Sequence, residues 1–400
     1  MPRLRPPEWV RPAWGRARVV LSVITPLGWG VLATGVVSWV LGIRLGWQEA
    51  FVVGFACLAA MLLATAFTLG RALVRVDVGL HPERVMVGNP AAGQVTVTNT
   101  ARRRLFPIRL ELVVGLATAM FDLPSLGTGQ SHEELFVVPT HRRAVIEVGP
   151  ATTVRGDPLG LLRNSVEWAG VKELYVHPRI SLLESLGAGF LRDLEGNTTN
   201  DISMSDLAFH TLRDYEPGDD RRYVHWRSSA RTGRLLVRQF VDTRRSHVTV
   251  VVDGTKASYR TEDDFETAIS VAGSLSVRAL RDEQDTTMLA SDRTIAGRTP
   301  RLLLDDLARV APMDRPLSDH AAHAWRLAAD TSIAVLVTGA LMPFTDLRRA
   351  AAIFPPSVRT LAMVINGEGT TGISNAGQLT VLTIPTLEDL PGVMRAVLVR

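Results

Sequence analysis

Cysteine is almost absent from this chain: Cys57 is the only one in 400 residues. That excludes an intrachain disulfide framework, and its place in an apolar run marks it as a small packed hydrophobe. Several catalytic patterns are also missing. No G-x-S-x-G, Walker or H-E-x-x-H string occurs, and His210, His225 and His247 lack metal-ligand spacing. Net charge is small, +4, and does not by itself argue for a nucleic-acid partner. The remaining composition, 21% charged and 46% hydrophobic, is that of an ordinary folded chain with room for two or three domains.

Long apolar runs, by contrast, are present. Val19–Leu41 and Ala50–Gly70 carry no charged residue. At about 1.5 Å per residue each is long enough to cross a hydrocarbon core of about 30 Å. A signal peptide fits the first run poorly, because it exceeds the usual apolar length of about 7–15 residues and a second run follows it. The two spans are expected to form a tight hairpin, kinked at Pro26, with Trp29 and Trp39 toward the interfaces. Arg3, Arg5, Arg11, Arg16 and Arg18 precede the first span and Arg71 and Arg75 follow the second, against Arg44 between them. The positive-inside rule then places both termini in the cytoplasm and the 42–49 loop outside. The proline-rich residues 1–18 are expected to lie as a basic arm against lipid headgroups.

From Arg71 to Pro178 the helical period is lost. Val74–Val78, Gln94–Thr98, Ile108–Val114, Glu134–Val138 and Ala144–Val148 are short β-branched runs between Gly, Pro and Asn turns. They predict a small β-sandwich. Arg102, Arg103 and Arg104 are expected on a solvated hairpin edge, and Val154–Arg163 in a structural turn around Asp157-Pro158. The stretch 182–205, rich in Gly, Asn, Thr and Ser, reads as an irregular excursion.

Thr211–Phe240 is the most distinctive segment. It holds seven arginines, four acids, His225 and Trp226 in thirty residues. Alternating signs argue against a disordered tail, and Arg–carboxylate pairing supplies fixed geometry. Tyr215, Tyr223, Trp226 and Leu235–Val237 supply apolar anchors. Trp226 is expected in a core and Arg231 in a buried ion pair, each costing about 3–5 kcal/mol on truncation to Ala. Beyond it, His247–Val252 reads as a buried strand ending at Asp253, and Glu262–Arg281 as an amphipathic helix. Helices near 300–310, 320–329, 343–352 and 387–398 alternate with strands at 287–290, 332–338, 361–365 and 379–384. This alternation predicts a parallel sheet covered on both faces, with ligands at its carboxyl end.

Leu212, Arg213, Tyr215, Gly218, Asp219, Arg222, Trp226, Ala230, Arg231, Gly233 and Leu235 fit the pattern LR-x-Y-x-x-GD-x-x-R-x-x-x-W-x-x-x-AR-x-G-x-L. In this the chain resembles the DUF58 family, whose layout it also shares. The resemblance implies a multidomain α+β membrane protein. A transmembrane hairpin (1–75) would be followed by a β-sandwich (76–178) and a segment joining linker to signature (179–245). A von Willebrand A-like α/β domain (246–400) would complete it. It further implies a MoxR-type AAA+ ATPase partner, and a transglutaminase-like membrane protein as a possible second, at the cytoplasmic membrane. Within the signature, Arg213, Tyr215, Gly218, Asp219, Arg222, Trp226, Arg231 and Gly233 would form a structural clamp between domains. Von Willebrand A-like domains hold a divalent cation at a D-x-S-x-S loop. Here Asp253 and Thr255 match, but Ala257 brings no oxygen and Lys256 adds a positive charge, so Mg²⁺ is not expected to be held there. Asp292 could stand in only as a distant replacement, and nothing in its spacing commits it.

The expected function is therefore that of a membrane-anchored interaction or scaffold protein without an enzymatic cofactor. Two alternatives stay open. One is a metal-dependent hydrolase using Asp253, Thr255, Asp219, Asp220 and His225. The other is binding of anionic membrane lipid or nucleic acid through the arginines. Nucleic acid is the less expected partner, since the interleaved carboxylates weaken the field that phosphates would need.

Overall fold

The computed structural model describes residues 23–68, 73–184, 207–216, 219, 221–242, 247–296 and 299–398. The chain is a mixed α/β protein that divides into two compact units, Met1–Val176 and His177–Arg400.

In the first unit two apolar helices come first, α1 (Pro26–Leu45) and α2 (Gln48–Thr68). Pro26 does not kink α1; it opens it. Thr25 caps the helix by accepting from the Gly28 N–H, and proline at the first helical position forfeits no intrahelical bond. The helix also runs past Leu41. It ends at Gly46, whose positive φ (69°) allows its N–H to reach the Gly42 carbonyl, so Arg44 lies in the last helical turn and only Gly46-Trp47 separate the helices. The expected 42–49 loop is thus mostly helix. Small residues let α1 and α2 approach: a Cβ added at Gly35 would stand 3.0 Å from Cys57 Cβ, and one at Gly42 would stand 3.0 Å from the Phe51 ring. Both helices are long and apolar enough to cross a membrane. Val36, Ile43, Val52, Leu62 and other large apolar side chains on them are exposed.

The open end of this hairpin meets a turn of the β domain. The Thr25 N–H donates to the Leu161 carbonyl (3.0 Å), its hydroxyl donates to the Gly160 carbonyl (2.7 Å), and Ala64 packs with Leu161 and Leu162. Asp157 builds that turn from within, accepting from the N–H groups of Leu159 (2.9 Å) and Leu162 (2.7 Å). The structural reading of this stretch holds.

Nine strands follow: β1 (Val74–His81), β2 (Arg84–Met86), β3 (Ala91–Asn99), β4 (Ile108–Val114), β5 (Ala117–Leu123), β6 (Ser131–Val138), β7 (Ala144–Gly156), β8 (Arg163–Ala169) and β9 (Lys172–His177). They form a three-stranded sheet, β1-β3-β6, and a second sheet, β2-β9-β7-β4-β5, with β8 paired to β7. Alternating burial along β1, β3 and β4 sends Val76, Val78, Val97, Leu110 and Leu112 inward, where they share one core with Val148, Leu174 and Val176. Arg102–Arg104 do not edge a hairpin: they lie in the connection from β3, in one sheet, to β4, in the other.

The second unit begins with a separate two-stranded sheet, β10 (Leu207–Asp214) and β11 (Leu236–Asp242), with the short helix α3 (Trp226–Thr232) between them in sequence. The main sheet has the order β14-β13-β12-β15-β16-β18-β17. Its parallel strands are β12 (His247–Val252), β13 (Asp285–Ala290), β15 (Thr331–Gly339), β16 (Arg359–Ile365) and β18 (Leu379–Ile384). β14 (Arg293–Ala296) and β17 (Gly372–Ala376) close the edges antiparallel. On one face α4 (Glu262–Arg281), α5 (Pro300–Ala308) and α8 (Leu390–Leu398) cover Val250, Met288 and Met363 with Ile269, Leu275, Leu307 and Val397. On the other, α6 (Leu317–Leu327) and α7 (Phe344–Ala351) cover Val251, Leu289 and Leu336 with Leu317, Ala324 and Leu347.

Candidate functional site

The arginine-rich segment is a hairpin with an insertion. Arg213, at the end of β10, grips Asp219 with both guanidinium nitrogens (2.8 and 2.6 Å), and Asp219 also accepts from the Glu216 N–H (2.9 Å). A hydrogen bond from the Asp219 N–H to the Glu216 carbonyl closes the turn at 3.0 Å. The arginine first, and the backbone donor second, hold the Asp219 carboxyl below its ordinary pKa, and the same contact raises that of Arg213. Tyr215 is half-buried and its N–H bonds to the Leu235 carbonyl, so the chain re-enters β11 beside it. Gly218 and Asp220 lie outside the described residues.

His225 caps α3, its Nδ1 accepting from the Ser228 N–H, and Gly233 ends the helix with φ 71°. Ser229 is buried, and its Oγ accepts from the Leu236 N–H at 2.8 Å. Val224 and Val237 bridge beneath. These contacts use the inner face of a seven-residue helix and leave Trp226 outside, 63% exposed. Two expectations are therefore corrected. Trp226 is not a core anchor. Arg231 is exposed and pairs with no acid among the described residues, so it is not half of a buried ion pair. Arg222 and Leu235 are exposed as well.

The second candidate lies at the carboxyl end of the parallel sheet. β12 pairs with β13 on one side and β15 on the other, so successive connections leave in opposite directions there. Register places Asp253 level with Ser291 and Thr338, since Val252 pairs with Ala290 and with Val337. Asp253 is fully buried. Its Oδ1 accepts from the Thr255 N–H (2.9 Å), its Oδ2 accepts from the Thr338 hydroxyl (2.8 Å), and its carbonyl accepts from Tyr259 (2.7 Å). Burial, then the Asp253 and Asp264 charges, push the Tyr259 hydroxyl well above its usual pKa.

As donors for a cation these groups do not fit. There is one carboxyl whose two oxygens are engaged, and a Thr255 hydroxyl that donates to the Arg315 carbonyl. Asp292 is exposed in the β13–β14 turn. Among the described residues no three His, Cys, Asp or Glu side chains converge as metal ligands.

Three residues here escaped the sequence reading. Thr338 ends the strand expected over 332–338 without having been singled out, and its hydroxyl completes the Asp253 contacts. Ser291 takes a positive φ (54°) in the turn after β13, and its buried Oγ has no partner among the described residues. His320 sits on the buried face of α6 with Leu317, Ala321 and Ala324, a position that helical spacing makes readable; neither ring nitrogen has a partner among the described residues.

Burial first, then Arg315 and more weakly His323, lower the His320 pKa, against the opposing pull of Asp253 and Asp319. Its folded pKa therefore lies below the unfolded value of about 6.5. Above that pH the group leaves stability unchanged; as pH falls through it, the unfolded chain takes up the proton first and stability is lost. Chemical denaturation of the parent and His320→Leu at a series of pH values should show a shallower loss in the variant as pH falls below about 6.5. Parallel curves would mean that His320 accepts its proton in the fold at no cost.

Residues 211–389, from the signature through the parallel sheet, match the family described as "Protein of unknown function DUF58". No curated protein matches the chain. Among solved structures, the CARDB domain of the PF1109 protein from Pyrococcus furiosus, in complex with di-metal ions, is similar at 13% identity. That match covers 27% of this chain and 96% of that one, with a TM-score of 0.20. The alkylpurine DNA glycosylase AlkC of Pseudomonas fluorescens, bound to DNA containing an abasic site analog, shares 17% identity over 34% of this chain and 43% of that one, at a TM-score of 0.21. The sporulation control protein Spo0M of Bacillus subtilis shares 15% over 31% and 55%, at 0.16. Likenesses this slight bear on neither fold nor activity.

Proposed function

We propose that this chain is a membrane-anchored interaction protein that works with a MoxR-type AAA+ ATPase in complex assembly or envelope-related maturation. Helices α1 and α2 would span the cytoplasmic membrane with both termini inside, as the arginine balance around them favours. The α/β unit, which we read as von Willebrand A-like, would then face the ATPase, with a transglutaminase-like membrane protein as a further partner. One observation carries the reading. The signature closes its own fold through Arg213–Asp219 and Ser229–Leu236, yet leaves Trp226 and several arginines on the surface. Trp and Arg are the residues that dominate binding energy at protein interfaces. Metal-dependent hydrolysis draws no comparable support, because one Asp253 oxygen is engaged by its own loop and the other by Thr338 at the end of β15.

Trp226→Ala should weaken capture of the ATPase about 30-fold, the loss of one hot spot of about 2 kcal/mol. Its stability should stay within about 0.5 kcal/mol of the parent, as for other exposed positions. Co-purification from detergent-solubilised membranes, with AAA+ proteins identified by mass spectrometry in each nucleotide state, reads the first effect. Thermal melts read the second. Recovery of no AAA+ ATPase in any state would sink the proposal.

A further inference from the structure

The connection 100–107, TARRRLFP, stands out in the first unit. Arg102, Arg103 and Arg104 are exposed, Arg102 and Arg103 pair with no acid among the described residues, and Phe106 is 73% exposed. Leu105 and Ile108, on either side, are buried and anchor the loop to the sandwich. The loop thus holds a large aromatic outward between two core residues and beside three cations.

Its place in the fold supplies one. Two independent links put this loop at the end of the sandwich that meets the apolar helices. The first runs through β1: the Thr100 N–H and hydroxyl both donate to the Leu73 carbonyl, five residues after α2 ends at Thr68. The second runs through β7: Arg109 at the start of β4 pairs with Val154, and β7 then leads into the Asp157–Leu162 turn that holds Thr25 and Ala64. The loop thus stands level with the helix ends, where a spanning hairpin would leave the hydrocarbon and enter the headgroups.

The neighbouring connection 124–130, PSLGTGQ, holds no acid, and neither does 100–107. Asp122, at the end of β5, pairs with Arg109 at 2.8 Å, and Asp157 is held within its own turn. Arg104 also donates to Ser125 Oγ at 3.0 Å, which ties the two connections together. An aromatic ring flanked by unpaired arginines at headgroup level is the composition of an interfacial lipid contact.

We infer that Arg102, Arg103, Arg104 and Phe106 form a contact site for anionic phospholipid, the arginines on headgroup phosphates and Phe106 in the acyl boundary. The site holds the β-sandwich against the bilayer that α1 and α2 enter, and so rests on the membrane-spanning reading of those helices.

The test uses the full chain in lipid nanodiscs. Cys57→Ser gives a cysteine-free background, into which Phe106→Cys, Leu116→Cys or Leu62→Cys is placed and labelled with a nitrobenzoxadiazole fluorophore. Leu62 is an exposed side chain of α2. Leu116 is fully exposed at the far end of β4, about 20 Å from the loop at strand rise. Quenching by nitroxide-bearing lipid is compared between phosphatidylglycerol-rich and phosphatidylcholine nanodiscs. The expected result is quenching at 62 in both lipids, quenching at 106 in the anionic one, and none at 116. Replacing all three arginines by Gln should reduce the anionic-lipid preference at 106 by about fivefold per arginine, the equivalent of about 1 kcal/mol each. Quenching at 62 with 106 as dry of quencher as 116 overturns the lipid site and leaves the spanning helices standing. Equal quenching at 106 in both lipids overturns the assignment to anionic headgroups. No quenching at 62 removes the membrane reading and the site with it.

Discussion

Asp253→Ala should lower the unfolding free energy of the second unit by about 3–5 kcal/mol. Removing the carboxyl strands the buried Thr338 hydroxyl and the part-buried Thr255 N–H. An unpaired buried donor costs about 1–3 kcal/mol, and the cavity left at a fully buried side chain adds to that. Asp253→Asn keeps the shape and one acceptor, so its cost should be smaller. Denaturant melts of the detergent-solubilised full-length protein measure both. The same melts decide the role of the loop. If Asp253 served a cation, millimolar Mg²⁺ would raise the parent's melting temperature and leave the Ala variant unmoved. With both oxygens engaged, neither should respond. A loss below about 1 kcal/mol would show that the loop does not depend on this group.

Gly339→Ala should cost at least about 1–3 kcal/mol, the range for overpacking a close-packed site. A Cβ at the end of β15 would stand 2.2 Å from the Ser258 carbonyl oxygen and 2.7 Å from Tyr259 Cδ1. The first of these is backbone and cannot rotate away. Ser258 also receives the Leu341 N–H, so moving it disturbs the connection that follows β15. Tyr259, in turn, holds the Asp253 carbonyl. The Gly339 and Asp253 variants should therefore couple: the double variant's loss should differ from the sum of the single losses by at least about 0.5 kcal/mol. Gly392→Ala, in α8 with open space around the added carbon, is the control and should be neutral or slightly stabilising. Equal melts for Gly339→Ala and the parent would mean that the two loops separate freely.

Legibility followed the range of the physical cause. β12 and β18 fell where the apolar runs began and ended, α4 spanned Glu262–Arg281 as its period indicated, and β4 ran over Ile108–Val114. Each repeats a simple apolar pattern over six or more residues. Strands without such a pattern were missed: β14 has four residues, β17 reads GISNA, and β5 is largely exposed. They are strands because a neighbour offers a ladder, a cause that lies elsewhere in the chain. The arginine-rich segment divides in the same way. Arg213 and Asp219 are six residues apart and their pairing followed from local chemistry. Whether Trp226 faced a core or the surface turned on how Ser229 and Val224 met β11, and composition carries no record of that.

From its residues alone the chain was determined to carry two apolar helices, a β-rich middle, a charged signature and an alternating α/β region, because periodicity and turn chemistry act within a few positions. Tertiary structure alone decided that Asp253 is answered by Thr338, eighty-five residues away, and that His320 is buried with no partner among the described residues. It alone put Arg102–Arg104 and Phe106 at the helix end of the sandwich. Those facts depend on strand register and on which faces are packed together, and both are set by contacts between segments that no local pattern connects.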